Sequence, residues 1–346
     1  MLPPKPFCFM TSVTLARHAM ATRFELVLHG ENAVALRAAG EEALDEIERL
    51  EDRLSLYRPG SEIAQLNARA ARAPVRVTPE LFGLLEHAQR LHAETGGAFD
   101  ITIAPLVRCW GFMGASGKMP LADQLAAARQ CVGMQHVQLD VQNRTVRFAR
   151  AGVMLDLGAI GKGYAVGQAA DILRNLGITS ALIHGGTSTV YALGQPPDTD
   201  YWKVAIEQPP TIVGNPALAR LTDFPWLEGG ASNKIPAMPL RDEAMSVSAV
   251  WGRSFVADGK LLGHVIDPRT GQPVNRAMLA AVVLPSAMET DALSTALLVL
   301  GADGRDLISK LRRGMKTLVL TKAAEGICPG SEQVPAQGNL ERQSPG

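Results

Sequence analysis

The 346-residue chain has no excess of charge of either sign: Lys and Arg total 34, and so do Asp and Glu. This balance removes the electrostatic argument for nucleic acid or an anionic membrane surface, so any phosphate binding must come from a local site. Cysteine is scarce. Cys8, Cys109, Cys131 and Cys328 form no C-x-x-C pair, and none stands beside a His at zinc-ligand spacing. They read as two free buried thiols and two in loose ends, compatible with a reducing compartment. No stretch approaches the roughly 18 apolar residues needed to span a bilayer. The N-terminal residues carry Pro3, Pro4 and Pro6 with no apolar run before Cys8, a poor signal peptide and a poor lipoprotein signal. The expected compartment is the cytoplasm, or the periplasm if the true start differs.

What is present is a globular composition, with 47% hydrophobic and only 20% charged residues, which excludes a disordered chain. Residues from Thr11 to Leu28 alternate, with Phe24, Leu26 and Leu28 on one face, as strands do. Ala43, Ile47, Leu50 and Leu54 recur at helical spacing, predicting a helix over about Asn32 to Leu56. Tyr57-Arg58-Pro59-Gly60 ends it. Thr78-Pro79 opens a second helix that stops at Gly96-Gly97. His136 to Ala149 reads as a hairpin around Gln142-Asn143. Val153 to Leu157 reads as a short strand, then a Gly-rich turn, then a helix closed by Gly177.

Further strands are expected at Ser180–His184 and near Trp202–Ile206. Residues 209–243 read as an irregular surface insertion. Strands resume from Ser246 to Asp267 with a turn at Asp258-Gly259, followed by Leu279–Leu284 and a helix over about Thr290 to Leu300. Residues 1–10 and the tail 324–346 are expected to be disordered, leaving one domain over 11–323. Without a β-α-β rhythm, the fold class is α+β with mixed or antiparallel sheets.

Three segments carry candidate chemistry. In DLGAIGKGYA, from Asp156, a Gly-rich turn at a helix start aims backbone N–H groups at one point, and Lys162 adds a cation. It fits neither Walker A nor G-x-G-x-x-G, so by itself it is either an anion site or a tight strand–helix turn. Asp291 and Thr295, four apart, share one helix face. They suit a hard cation such as magnesium, which takes few protein oxygens; Asp291 equally suits a helix cap. His264, in GHVIDPRTG, is either a general base or a structural histidine. Ser55, Tyr57, Glu62 and Asn67 in SLYRPGSEIAQLN, and Asp100 in TGGAFDIT, fall in breaks between elements. There Tyr57 can stack on a flavin and Asp100 can accept a hydrogen bond from a ligand.

These segments, in this order and with Met20-Ala21-Thr22 before them and TDALSTALLVLG after, resemble the ApbE-like family of FAD:protein FMN transferases over about Arg17 to Gly301. The resemblance implies a T-fold-like α+β structure of two related sub-domains with FAD between them. It implies that Met20 and Tyr57 contact flavin, that Ala98, Phe99 and Asp100 line the FAD pocket, and that Asp156 and Lys162 hold FAD. Val265 and Ile266 would line the pocket beside His264, the candidate base. Magnesium would bind the Ala159 carbonyl, Asp291 and Thr295.

The implied activity cleaves FAD, moves FMN to a Ser or Thr hydroxyl of a partner, commonly a redox-complex subunit, and releases AMP. The alternatives are an FAD diphosphatase and a non-catalytic flavin-binding protein. Three departures stand out: Ala21 where the family has Gly, SVSAVWG from Ser246 in place of Thr-Ser-Gly, and Ser294 where some members carry a second acid.

Overall fold

A computed structural model describes residues 10–114, 117–207, 219–221, 237–257 and 260–322. The chain opens with strands β1 (Thr11–Ala19) and β2 (Thr22–Gly30). Helices α1 (Ala33–Leu54) and α2 (Glu62–Arg69), strand β3 (Val75–Arg76) and helices α3 (Pro79–Glu94), α4 (Ala104–Cys109) and α5 (Ala122–Arg129) follow. Then come β4 (Val137–Asp140), β5 (Thr145–Phe148), α6 (Gly161–Asn175), β6 (Ala181–Gly185), β7 (Thr189–Leu193), β8 (Trp202–Ala205), β9 (Ala219–Leu221) and β10 (Ala237–Leu240). The last elements are β11 (Glu243–Ala249), β12 (Ser254–Ala257), β13 (Lys260–Gly263), β14 (Leu279–Leu284), α7 (Ala287–Leu300), α8 (Arg305–Ser309) and β15 (Lys316–Lys322). The expected α+β class holds.

An eight-stranded sheet in the order β1-β2-β6-β7-β11-β14-β15-β9 forms the centre, and its neighbours pair antiparallel. Strand alternation sends Phe24, Leu26, Leu28, Ile183 and Val282 to the face covered by α1, α6 and α7. The other face, with Leu182, Val190, Ala281 and Val283, packs against Trp202, Val204, Met238 and Leu240 of the β8–β10 ribbon. Strand β14 is covered on both faces, which is why LAAVVL is apolar throughout and shows no alternation. A smaller core joins α4 to the β12–β13 hairpin through Leu106, Trp110, Phe112 and Phe255.

Local chemistry sets the helix ends. The Asn32 side chain caps α1, Thr78 caps α3, and the N–H groups of Gly177 and Ile178 bond back to Arg174 and Leu173 to close α6. Gly177 has a φ of 79°, as that closure requires.

Three expectations are corrected. Residues 237–243 are not irregular: β10 pairs with β8 and buries Met238 and Leu240, its Pro239 tolerated because the ribbon has only two strands. Most of the rest of 209–243, the chain ends and the turn at Asp258-Gly259 lie outside the described residues. Val153–Leu157 is extended but not a strand. Its backbone is satisfied by the Asn67 side chain, which accepts from Leu155 N at 2.8 Å and donates to Leu155 O at 2.9 Å. Asn67 and Glu62 are therefore not loop residues but members of α2. Cys109 and Cys131 are free but only half-buried.

Helix α7 is tied to α3 by charge. Arg312 donates to Glu289 from Nε at 2.9 Å and Nη2 at 2.8 Å, and to Glu94 at 2.8 Å, while His87 meets Glu289 at 3.0 Å. Burial opposes the Glu289 charge, but the bonds from His87 and Arg312 outweigh it and hold its carboxyl at about 2, against 4.5 ordinarily. A depressed carboxylate stabilises the fold above its unfolded value and loses that contribution as pH falls through the folded one. We expect stability to drop by about 3 kcal/mol between pH 5 and pH 2 through this group. Urea unfolding across that range checks it. The Glu289→Gln variant should show a flatter curve, and equal slopes would refute the assignment.

Candidate functional site

The Gly-rich turn, α7 and the histidine segment converge on one cavity of about 910 Å³, near the upper end of the roughly 300–1,000 Å³ typical of ligand pockets. Met20, Tyr57, Ala98, Phe99, Asp100, Asp156, Ala159, Lys162, His264, Val265, Ile266, Asp291 and Thr295 all line it. Ser55 joins them, whereas Glu62 and Asn67 of the same segment do not line it.

The turn after Leu157 delivers α6 with its N-terminus at the cavity wall. Asp156 Oδ1 accepts from Gly158 N at 2.8 Å, and Lys162 Nζ donates to Gly158 O at 3.2 Å. Burial pushes the Asp156 carboxyl up, against the pull of Lys162 and Arg253. The helix end adds positive potential at the place where an anion would sit.

Asp291 is not a helix cap. Ser286 caps α7, and the helix begins four residues before Asp291. The Asp291 carboxylate is 4% exposed and accepts from Gly163 N at 2.9 Å. Gly163 permits that approach: a Cβ there would lie 2.2 Å from Ala287 O and 2.7 Å from Asp291 Cβ. Thr295 Oγ1 donates to Asp291 O at 3.2 Å and meets Ser248 Oγ at 3.1 Å; Ser248 also meets Ser294 at 2.9 Å. Ser248 Oγ and Asp291 O thus hold the Thr295 hydroxyl from two sides, and Ser294 in turn steadies Ser248.

Among the described residues no Lys or Arg pairs with Asp291, and no group of three or more His, Cys, Asp or Glu could hold a metal. Asp291, Thr295 and Ala159 line the same cavity and offer a carboxylate, a hydroxyl and a backbone carbonyl, an all-oxygen set. It fits a hard cation that keeps waters and takes its remaining ligands from a phosphate, and not zinc or another soft metal.

His264 continues from β13, and its backbone N–H donates to Arg253 O at 3.0 Å. Its Nδ1 lies 3.2 Å from the same carbonyl. A carbonyl only accepts, so Nδ1 carries the proton and Nε2 keeps a lone pair in the neutral ring. Burial pushes the ring below its usual pKa, and the charges of Arg253 and Lys162 push the same way. A neutral ring with a bare Nε2 is a competent base.

Asp100 lines the cavity and is also anchored within the protein. Its Oδ1 accepts from Thr102 N at 2.7 Å and Thr102 Oγ1 at 2.6 Å, and His92 Nδ1 lies 3.3 Å from Oδ2. These contacts hold the 98–102 turn in place at the cavity wall, and the carboxylate keeps acceptor capacity beyond them. Burial opposes a charge on His92, but the bond to Asp100 prevails and its pKa is raised.

Met20 and Ala21 form the two-residue turn between β1 and β2, with φ of 50° and 58°. Both are left-handed, a conformation that suits glycine and strains an L side chain. Gly186, φ 67°, sits against this turn, and a Cβ there would lie 2.3 Å from Thr22 Oγ1. Ala21→Gly is expected to stabilise the chain by about 1 kcal/mol in thermal or urea melts. An unchanged or lower midpoint would refute strain at this turn.

The model of the ApbE family matches residues 20–319. The chain belongs to the ApbE family. An ApbE-family relative from Klebsiella pneumoniae (strain 342), named FAD:protein FMN transferase, is 30% identical over 329 residues, covering 92% of this chain and 86% of its own. Another of that name, from Salmonella typhimurium, is 30% identical over 286 residues, covering 79% and 74%. Among solved ApbE structures, the Thermotoga maritima protein superposes with a TM-score of 0.76 at 25% identity, covering 89% of this chain and 94% of that one. The apo flavinyl transferase of Pseudomonas stutzeri gives 0.74 at 27%, covering 90% and 95%.

The ApbE-type cavity also contains Ser248 and Trp251 of the departing SVSAVWG segment, and two residues that sequence reasoning passed over, Arg253 and Thr189. One signal was available. Counting outward from the expected turn at Asp258-Gly259, the pairing Ser254↔Gly263 puts Arg253 beside His264 at the foot of the hairpin.

Proposed function

We propose that this chain is an FAD:protein FMN transferase, attaching FMN through a phosphodiester to a Ser or Thr hydroxyl of an acceptor protein. The observation that carries this reading is one cavity holding an anion-suited helix end with Lys162, an unpaired buried carboxylate at Asp291, and a base at His264. The names of the ApbE relatives support it.

The cavity's parts divide the work. Lys162 and the α6 N-terminus bind phosphate oxygens and oppose their negative charge as the diphosphate breaks. Asp291, Thr295 and the Ala159 carbonyl would hold magnesium, which supplies charge neutralisation at the phosphates when bound. Tyr57, exposed at the rim, covers the flavin end. His264 Nε2 takes the proton of the acceptor hydroxyl. The hydroxyl oxygen forms a bond to the FMN phosphorus, the phosphorus–oxygen bond to the AMP half breaks, and AMP leaves with that oxygen. The acceptor is a protein with a reachable Ser or Thr, of the kind found in redox-complex subunits.

Because burial lowers the His264 pKa, its base form persists below the usual value. The acid limb of kcat/KM for FAD should therefore fall below pH 6.5 or so. A limb above that pH that survives in His264→Gln would remove His264 from the role.

Incubation with FAD and magnesium, with and without an acceptor, tests the function. AMP release together with flavin fluorescence on the acceptor in a denaturing gel is the expected result. AMP with free FMN only means hydrolysis, and bound FAD without AMP means binding alone; either overturns transfer.

A further inference from the structure

The cavity contains more cationic character than Lys162 supplies, and Arg253 accounts for it. Arg253 immediately precedes β12, at the foot of the hairpin that ends in His264, and lines the cavity. Its side chain is exposed, so its charge is fully available. The backbone at this point is fixed, because Arg253 O accepts from both His264 N and His264 Nδ1. Its Nη1 reaches Phe112 O at 3.4 Å, a long and weak bond.

The charge environment is asymmetric. Arg58, also on the cavity wall, is held by Glu51 and Asp52. Among the described residues, Arg253 has no carboxylate at ion-pair distance. The groups that feel its charge are Tyr57, Asp156 and His264, three residues on three different segments around the cavity. Lys162 acts on two of the same three, Asp156 and His264. Two cations from separate segments of the chain therefore bear on one part of the cavity. Asp156 is the acid among these groups, and its burial, which disfavours ionisation, limits how far it offsets them.

We propose that Arg253 is a phosphate-binding residue of this cavity, engaging phosphate oxygens of the flavin nucleotide together with Lys162. The proposal rests on the flavin-nucleotide reading above and adds to it a residue and a ligand group. A guanidinium suits this task, because it is permanently charged and its planar donors match the spacing of two phosphate oxygens. It also places a fixed positive charge near His264, which favours the neutral, base-competent ring.

Three flavins that differ only in phosphate content provide the test: riboflavin, FMN and FAD, titrated by flavin fluorescence against wild type, Arg253→Ala and Arg253→Lys. In Arg253→Ala, affinity for FMN and FAD should fall about tenfold or more, while affinity for riboflavin changes less than about twofold. Arg253→Lys should recover part of the loss, because it restores charge without the fork. The dependence of FAD affinity on salt should be shallower in Arg253→Ala than in wild type. Equal weakening of riboflavin and FAD would overturn the proposal and make Arg253 a ring-stacking or hairpin-packing residue. Unchanged FAD affinity would also overturn it. A wild-type chain that binds none of the three overturns the flavin reading itself and this proposal with it, an outcome distinct from the other two.

Discussion

Asp291→Asn is expected to lower AMP release from FAD by about a thousandfold without unfolding the chain. The Asp291 carboxylate is almost fully enclosed, accepts one backbone N–H from Gly163, and has no cationic side-chain partner among the described residues. An unpaired buried carboxylate is costly unless something else satisfies it. Asn keeps the shape and an acceptor oxygen for Gly163 N, so the α6–α7 contact survives. It removes the negative charge that a hard cation requires. Rates measured across a magnesium titration, with melting temperature as the control, decide the matter. Full activity of the variant at low magnesium would remove Asp291 from the metal role.

Gly163→Ala should damage both stability and activity, through backbone contact. The added Cβ would lie 2.2 Å from Ala287 O, an atom that no rotamer change can move aside. Helix α7 must shift away from α6, and Asp291, one turn along, moves with it. Overpacking of this kind costs about 3 kcal/mol, and the displaced carboxylate should cost about a hundredfold in AMP release. Gly167, on the same helix, is the control: a Cβ there meets nothing within 4 Å. Gly167→Ala should raise stability by about 1 kcal/mol through helix propensity and leave activity unchanged. Urea melts and AMP assays on both variants test the pair. Similar behaviour of the two would show that the α6–α7 approach does not set the site.

The same contact shows how much of the site was legible in sequence. DLGAIGKGYA announces a Gly-rich turn before a helix, but its third glycine looks like one more flexible residue. Only the packed structure shows that Gly163 exists for a residue 128 positions later. Asp291 suited a cap because a carboxylate near a helix start is common; Ser286, four residues before the expected first turn, takes that job. Asp100 looked free for a ligand because its partners, Thr102 and His92, were not visible as partners. Val153–Leu157 looked like a strand because it is apolar, yet its partners are the Asn67 side chain at Leu155 and Ile101 O at Asp156, which sequence periodicity cannot reveal. The β10 strand was hidden by Pro239.

By itself the sequence determined the local pieces: the hairpins, the capped helices, the helix closure at Gly177, and the order of segments that places the chain in the ApbE family. These follow from short-range sterics, hydrogen bonding and hydrophobic period, which act over a few residues. The tertiary structure decided which of those segments meet. It brought α6 against α7, set Arg253 beside His264, gave Asp291 its N–H partner, and anchored Asp100 to Thr102 and His92. Those outcomes depend on the closure of long loops around a two-faced sheet. That closure is decided by the burial of apolar surface over the whole chain and not by any one segment of it.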